Sequence, residues 1–326
     1  MKTSKCITSV LLGLLVLMLL LPIQVQAAGR IDLEQDVNLT ISAQEGEIPL
    51  VGAKFDIYLV ATVDEYGELT TTEEFDQFHV NIQGQNDDAW KKLASTLEGY
   101  VLRDQIAPTD TGKTDDQGML FFPNNQENLK QGLYLVIGDR HTQDGYVYEA
   151  SPFVVLLPSL DKEANDWVYE VSVNSKHDSE QLPEEPDTIT REVLKVWKDE
   201  GHEKERPKEV VVQLLCDGQD FKTVTLNADN GWKYTWTGLE SNHKWTIVEK
   251  ELKNYTVTVT REGVKFVVTN TYNGPENPTS TVPDKPGNTK LPQTGQLWWP
   301  VPVLVAAGLL LIVIGLLRRR GVNHEK

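Results

Sequence analysis

Three polar residues in the C-terminal half of this chain interrupt apolar strand-like runs, and their types could react with one another. In a β-strand, residues two apart share a face. Lys195 shares its face with Val193 and Trp197, Glu249 with Trp245 and Ile247, and Asn270 with Phe266 and Val268. Such residues either meet one another or face water, because an unpaired buried amide is costly and an unpaired buried charge more so. If they meet, burial disfavours the charged forms, so the lysine sheds its proton and the glutamic acid keeps one. A neutral amine is a nucleophile, and the carboxamide carbon of Asn270 is an electrophile. A protonated Glu249 can polarise that carbonyl and relay protons while ammonia leaves. The product is an amide between the Lys195 and Asn270 side chains. It would close a loop of about 75 residues, as a disulfide does, but would survive reduction. Both faces of VLKVWKD are fairly apolar, so Lys198 competes with Lys195 for the inward position.

A second pattern lies near the C-terminus. The peptide LPQTG (Leu291, Pro292, Gln293, Thr294, Gly295) stands directly before an apolar run, residues 297–317, and then Arg318, Arg319 and Arg320. The run is long enough to cross a hydrocarbon core of about 30 Å. The arginines hold the cytoplasmic side, Trp298 and Trp299 favour the opposite interface, and the body of the chain is therefore expected outside. At the other end, Lys2 and Lys5, an apolar core and a small-residue exit at Val25-Gln26-Ala27 predict a secretory signal peptide over residues 1–27. An uncleaved anchor is the alternative.

The 326-residue chain carries a net charge of −17. Without residues 1–27 and 295–326, 25 basic and 47 acidic residues remain, near −22. Such a surface repels nucleic acid and anionic lipid. Outside the signal segment Cys216 is the sole cysteine; in VVVQLLCDG it reads as a buried free thiol. No P-loop, G-x-S-x-G or H-E-x-x-H motif occurs, and no Cys/His/acid cluster stands at metal-ligand spacing along the sequence. The expectation is a protein that is not an enzyme, with no cofactor and no metal.

The elements that must position these residues are mostly strands. Residues 28–175 contain VNLTISAQ, AKFDIYLVATV, MLFFP, GLYLVIGDR, YVYEASPFVVLLP and WVYEVSVN, which alternate or are rich in β-formers between turn residues. NDDAWKKLASTLEGYVLRD instead places Trp90, Leu93, Leu97, Tyr100 and Val101 at helical spacing, with Asn86 or Asp87 as cap. This predicts a β domain with an inserted helix that covers a sheet edge or barrel end. Residues 176–188, acidic and proline-containing, predict a linker. Residues 189–273 hold seven short strand-like runs, which predict a second β-sandwich. Residues 274–290 form a Pro/Ser/Thr-rich stalk, and residues 291–326 the LPQTG segment, span and basic tail.

Taken together, KVWKDEGHEKERP, VVVQLLCDG, TVTLNADNGWKYTW, WTIVEKELKNYTV and FVVTNTY resemble a Cna protein B-type domain of Gram-positive surface proteins. That resemblance implies an inverse immunoglobulin-like or prealbumin-like sandwich and the intramolecular isopeptide bond, with Lys195, Glu249 and Asn270 in the family's reactive positions. The tail resembles a cell-wall sorting signal. It implies that a sortase cysteine attacks the Thr294 carbonyl, splits Thr294 from Gly295, and passes the acyl group to an amine of a peptidoglycan precursor or of a pilin lysine. VGAKFDIYLVATV, QGLYLVIGDR and SPFVVLLP followed by WVYEVSVNSKH resemble the N-terminal domain of Gram-positive pilins. In shaft pilins a Y-P-K motif supplies the polymerising lysine; here Asn174, Ser175 and Lys176 occupy that place, so Lys176 is either that lysine or an exposed linker residue. Lys54 lies in a strand-like run, but no partner for a second isopeptide bond is identifiable.

The resulting expectation is a mainly β protein with two immunoglobulin-like or prealbumin-like sandwiches, secreted and covalently anchored to the cell wall after a transient membrane stop at residues 297–317. Its expected partners are sortase, a peptidoglycan precursor and other pilin subunits. The alternative is a monomeric wall-anchored adhesin whose N-terminal domain binds a host matrix protein or glycan.

Overall fold

The computed structural model describes residues 29–275 apart from 84–85, 162 and 183–186. The signal peptide, the LPQTG peptide, the apolar span and nearly all of the stalk lie outside the described residues. Among those described, no helix is long and apolar enough to cross a membrane.

The molecule is mainly β. Its N-terminal part contributes β1 (Asn38–Ser42), β2 (Gln44–Glu45), β3 (Ile48–Pro49), β4 (Lys54–Val63), β5 (Leu69–Thr71), β6 (Asp110–Lys113), β7 (Met119–Phe122), β8 (Gly132–Gly138), β9 (His141–Gln143), β10 (Tyr146–Ala150), β11 (Phe153–Leu157), β12 (Ser159–Asp161), β13 (Asp166–Val168), β14 (Glu170–Asn174) and β15 (His177–Gln181). The principal sheet runs β11-β8-β4-β5, with β6 also on β4, and it accompanies the three-stranded sheets β14-β1-β7 and β15-β10-β9. Strand β8, GLYLVIG, is buried throughout because both faces of its sheet are covered. Tyr134 and Val136 join Leu39, Ile41 and Phe122 in one core. Leu133, Leu135 and Ile137, on the other face, join the long helix Asp87–Asp104 in a second.

The helix starts where the sequence predicts. The Asn86 side chain accepts a hydrogen bond from the Ala89 N–H at 2.9 Å, satisfying one of the first-turn donors. It ends at Gln105, whose φ of 52° breaks the helical repeat. Leu93, Leu97, Tyr100 and Val101 are buried, and Trp90 packs at the margin of the same cluster. The helix also has a second buried face. Thr96, Glu98 and Gly99 are buried too, and Leu215 and Val248 of the C-terminal part share the helix's apolar cluster.

That C-terminal part is built from β16 (Thr188–Lys198), β17 (Glu209–Cys216), β18 (Gln219–Asn227), β19 (Lys233–Glu240), β20 (Trp245–Glu249), β21 (Tyr255–Glu262) and β22 (Lys265–Tyr272). These are the seven runs the sequence predicts. They form two facing sheets, β19-β16-β22-β21 and β18-β17-β20, around Val193, Val212, Leu214, Ile247, Phe266 and Val268. The first and last strands, β16 and β22, are adjacent and parallel.

The stretch expected as a linker is partly regular structure. His177–Gln181 pairs antiparallel with β10 in register Ala150↔His177 to Tyr146↔Gln181. Its polar side chains hid this strand, because an exposed edge strand needs backbone pairing but no apolar face.

Candidate functional site

Parallel pairing of β16 with β22 sets Lys195 opposite Val268 and Trp197 opposite Asn270. Lys195 and Asn270 therefore project from one face of the sheet, one pleat apart. Glu249 comes from β20 in the facing sheet, a strand buried along its whole length. The three side chains meet between the sheets. Lys195 is 4% exposed, and Glu249 and Asn270 are 0% exposed. Lys198, the competitor, is exposed.

The contacts are directional. Glu249 Oε2 lies 3.6 Å from Lys195 Nζ, and Glu249 Oε1 accepts a hydrogen bond of 2.5 Å from Asn270 Nδ2. Lys195 Nζ also donates to the carbonyls of Val196 at 3.2 Å and Val268 at 3.4 Å, and lies 4.3 Å from the centre of the Trp197 ring. Asn270 Oδ1 and Glu249 Oε2 are buried with no hydrogen-bond partner. Buried polar atoms normally find partners, so such orphans call for an explanation.

Burial shifts both ionisable groups toward their uncharged forms. Burial lowers the Lys195 amine from 10.5 to about 8, with the Glu249 carboxylate only partly offsetting it. Burial likewise pushes the Glu249 carboxyl above its usual range, against the opposing pull of Lys195 and the Asn270 amide.

Residues that the sequence reading did not single out surround this cluster. Asp199 is buried and bound by Arg206 through contacts of 2.6 and 2.9 Å; this pairing, with help from Tyr255, holds its carboxyl below the usual range despite burial. Trp197 packs edge-on against Trp232 and Tyr255, and Arg206 lies over the Trp197 ring. The only sequence hint was the charged run after Trp197, which reads equally well as a solvated turn.

Lys176 is exposed between β14 and β15, and its carbonyl accepts a hydrogen bond from the Ser151 N–H at 2.8 Å. Lys54 is partly exposed and paired with Asp56 and Asp139 at 3.0 and 3.2 Å, with carboxylates rather than an amide beside it. A grouping absent from the sequence reading also emerges: the ligand atoms of Cys216, Asp217 and His243 lie within 4.8 Å of one another. His243 is far from the other two in sequence, and only the apposition of the β17–β18 hairpin turn with the β19–β20 connection between the sheets joins them.

Comparison with known proteins gives two family matches. Residues 191–271 match the Cna protein B-type domain, and residues 32–178 match the N-terminal D1 domain of Gram-positive pilin subunits. A collagen adhesin of Staphylococcus aureus is 34% identical over 119 residues, which is 33% of this chain and 10% of that protein. The chain thus spans about a tenth of the length of this curated relative. Among solved structures, a single B repeat unit of the S. aureus collagen-binding surface protein aligns at 16% identity over 74% of this chain and 99% of that one, TM-score 0.26. The shaft pilin SpaA of Lactobacillus rhamnosus GG, solved as a point mutant, gives 16%, 74%, 99% and 0.26. The major pilin SpaD of Corynebacterium diphtheriae gives 18%, 74%, 65% and 0.28. The two family matches support a pilin-like or adhesin-like structural protein of the Gram-positive cell surface.

Proposed function

We propose that this chain is a sortase-anchored, pilin-like surface subunit whose second sandwich locks itself with a Lys195–Asn270 isopeptide bond. One observation carries the reading: a fully buried carboxyl holds one oxygen toward the amine and the other on the amide nitrogen. The neutral Lys195 amine attacks Cγ of Asn270, forming the new C–N bond. Glu249 Oε2 takes the proton that the attacking nitrogen sheds, and Oε1 gives a proton to Nδ2. The Cγ–Nδ2 bond breaks and ammonia departs, so Glu249 ends as it began. The chain performs this chemistry on itself once and is not an enzyme; no cofactor or metal takes part.

The bond would join two adjacent parallel strands that begin and end the domain, so a pull along the chain would load a covalent link. Fragmentation mass spectrometry of a protease digest tests this. It should find the peptide containing Lys195 joined to the peptide containing Asn270; recovery of both as separate, unmodified peptides would overturn it.

The anchoring reading rests on the LPQTG pattern and on the exposed setting of Lys176. Sortase would cleave after Thr294 and join it to a peptidoglycan-precursor amine or to a subunit lysine, after residues 297–317 have held the chain at the membrane. Wall extracts should give a ladder of high-mass polymers that collapses in Lys176→Ala. A single band in the parent chain would leave a monomeric wall-anchored protein. The similarity of a 119-residue stretch to a collagen adhesin favours adhesion as one further reading, with the N-terminal domain proposed as the binder of a host matrix protein or glycan. Retention on an immobilised matrix and glycan panel would support it, and absence of binding throughout would remove it.

A further inference from the structure

The geometry points to a binding site for a divalent transition-metal ion of the zinc class, formed by Cys216 Sγ, Asp217 and His243 Nδ1 at the end of the second sandwich. Cys216 closes β17, and Asp217-Gly218 form the tight turn into β18, both with positive φ (48° and 78°), as a two-residue hairpin requires. His243 sits in the turn from β19 to β20. Two hydrogen bonds, one between backbone groups and one from backbone to side chain, fasten these turns together: the Asp217 N–H donates to the Lys244 carbonyl at 2.9 Å, and the Lys244 N–H donates to Asp217 Oδ1 at 2.8 Å. With Oδ1 so occupied, Oδ2 is left facing His243 Nδ1, at 2.5 Å.

The donor set suits such an ion. Thiolate, imidazole and carboxylate together fit a borderline-soft divalent metal, and three protein ligands leave a fourth position for water. Tetrahedral bonds of about 2.0–2.3 Å place donor atoms roughly 3.3–3.8 Å apart. The three ligand atoms already lie within 4.8 Å of one another. The tight Asp217–His243 pair needs to open by about 1 Å, and both side chains have room, at 52% and 34% exposure. The other ring nitrogen is addressed as well: His243 Nε2 lies 3.2 Å from Glu240 Oε2. A carboxylate on the far nitrogen is the usual means of fixing the ring and tautomer of a ligating histidine. On binding, the thiol and any protonated imidazole give up their protons to solvent.

The site has a use that does not depend on the isopeptide reading. Cys216 is the only cysteine of the chain outside the first 27 residues, so it has no intramolecular disulfide partner there. Ligation would shield that thiol from oxidation and from pairing between molecules. It would also fasten the turn whose Gly218 packs against Leu102 of the helix.

The test uses the purified chain, reduced and then freed of metal by a chelator. Cobalt(II) is added first, then zinc. One cobalt per chain should bind with a near-ultraviolet thiolate-to-cobalt charge-transfer band, and zinc should abolish the band while slowing maleimide modification of Cys216. Cys216→Ser should lose the band, and both Cys216→Ser and His243→Ala should lose at least about tenfold in zinc affinity; Glu240→Gln should keep the band and weaken binding about 10–100-fold. Circular dichroism of each variant checks that the fold persists. Absence of the band, or unchanged zinc affinity in Cys216→Ser and His243→Ala, would overturn the assignment and place any bound ion on the general acidic surface.

Discussion

A carboxyl group that faces an amine with one oxygen and an amide nitrogen with the other can pass protons between them without moving. Glu249 has that position, and its role predicts the behaviour of its closest substitute. Glu249→Gln keeps size and hydrogen bonding but cannot relay a proton, so its Lys195 and Asn270 should remain unlinked while the domain still folds; a linked Glu249→Gln protein would assign the relay elsewhere. Charge burial gives a second prediction, for Asn270→Ala, which cannot form the bond. In it the Glu249 carboxyl has a folded pKa above 4.5, because burial raises it and the amide that opposes the rise is gone. The folded state then binds the extra proton, and stability falls as pH climbs from 4.5 through that raised value. Lys195 is lowered from 10.5 to about 8; there the unfolded state binds the extra proton, and stability recovers between about 8 and 10.5. Melting temperature against pH should therefore show a trough near neutrality in Asn270→Ala that is missing from the linked parent. Curves of the same shape in both would contradict the assignment. The convergence of Lys195, Glu249 and Asn270 was legible because each is a polar residue among apolar neighbours on its own face of a strand. Alternation could not choose between Lys195 and Lys198, since that choice depends on the facing sheet, which lies elsewhere in sequence.

The decisive element is the helix Asp87–Asp104. Its apolar stripe and its asparagine cap were readable from spacing. Its second face was not, because that face is small and polar, and such residues ordinarily mark the solvent side. Thr96 Oγ1 accepts a hydrogen bond of 2.8 Å from the Val259 N–H on edge strand β21 and donates to the Lys92 carbonyl at 2.7 Å. A helix hydroxyl thus satisfies a backbone group that an edge strand would otherwise leave open. Thr96→Val keeps the shape but orphans that N–H, and should cost about 1–3 kcal/mol in denaturant unfolding. Gly99 packs its backbone onto β20, where an added Cβ would lie 2.8 Å from the Ile247 carbonyl oxygen. Gly99→Val should destabilise by about 1–3 kcal/mol through overpacking. Unchanged unfolding midpoints in both variants would mean that the helix does not bear on the second sandwich.

At the scale of the molecule, the two sequence-matched regions pack through this helix. Lys244 of the second sandwich contacts Glu98 of the helix at 2.7 Å, with both side chains largely buried, and also donates to the Gly138 carbonyl at 3.1 Å. Arg103 pairs with Glu251 at 2.9 Å and Arg261 with Glu149 at 2.8 Å. Removing one partner of a buried pair strands the other charge. Lys244→Met should therefore loosen the seam by about 3 kcal/mol and split one calorimetric transition into two; a single unshifted transition would contradict the coupling. The β character and the seven strands of the second sandwich were legible in local patterns. The seam was not, because its residues come from segments more than a hundred positions apart and only the tertiary fold pairs them.

The central claim, that the second sandwich closes itself with an amide, is tested most directly by the intact mass of the purified protein. The account predicts a mass about 17 Da below that calculated, the loss of one ammonia, in the parent chain and the full calculated mass in Lys195→Ala, Glu249→Gln and Asn270→Ala. The full calculated mass in the parent chain would contradict it.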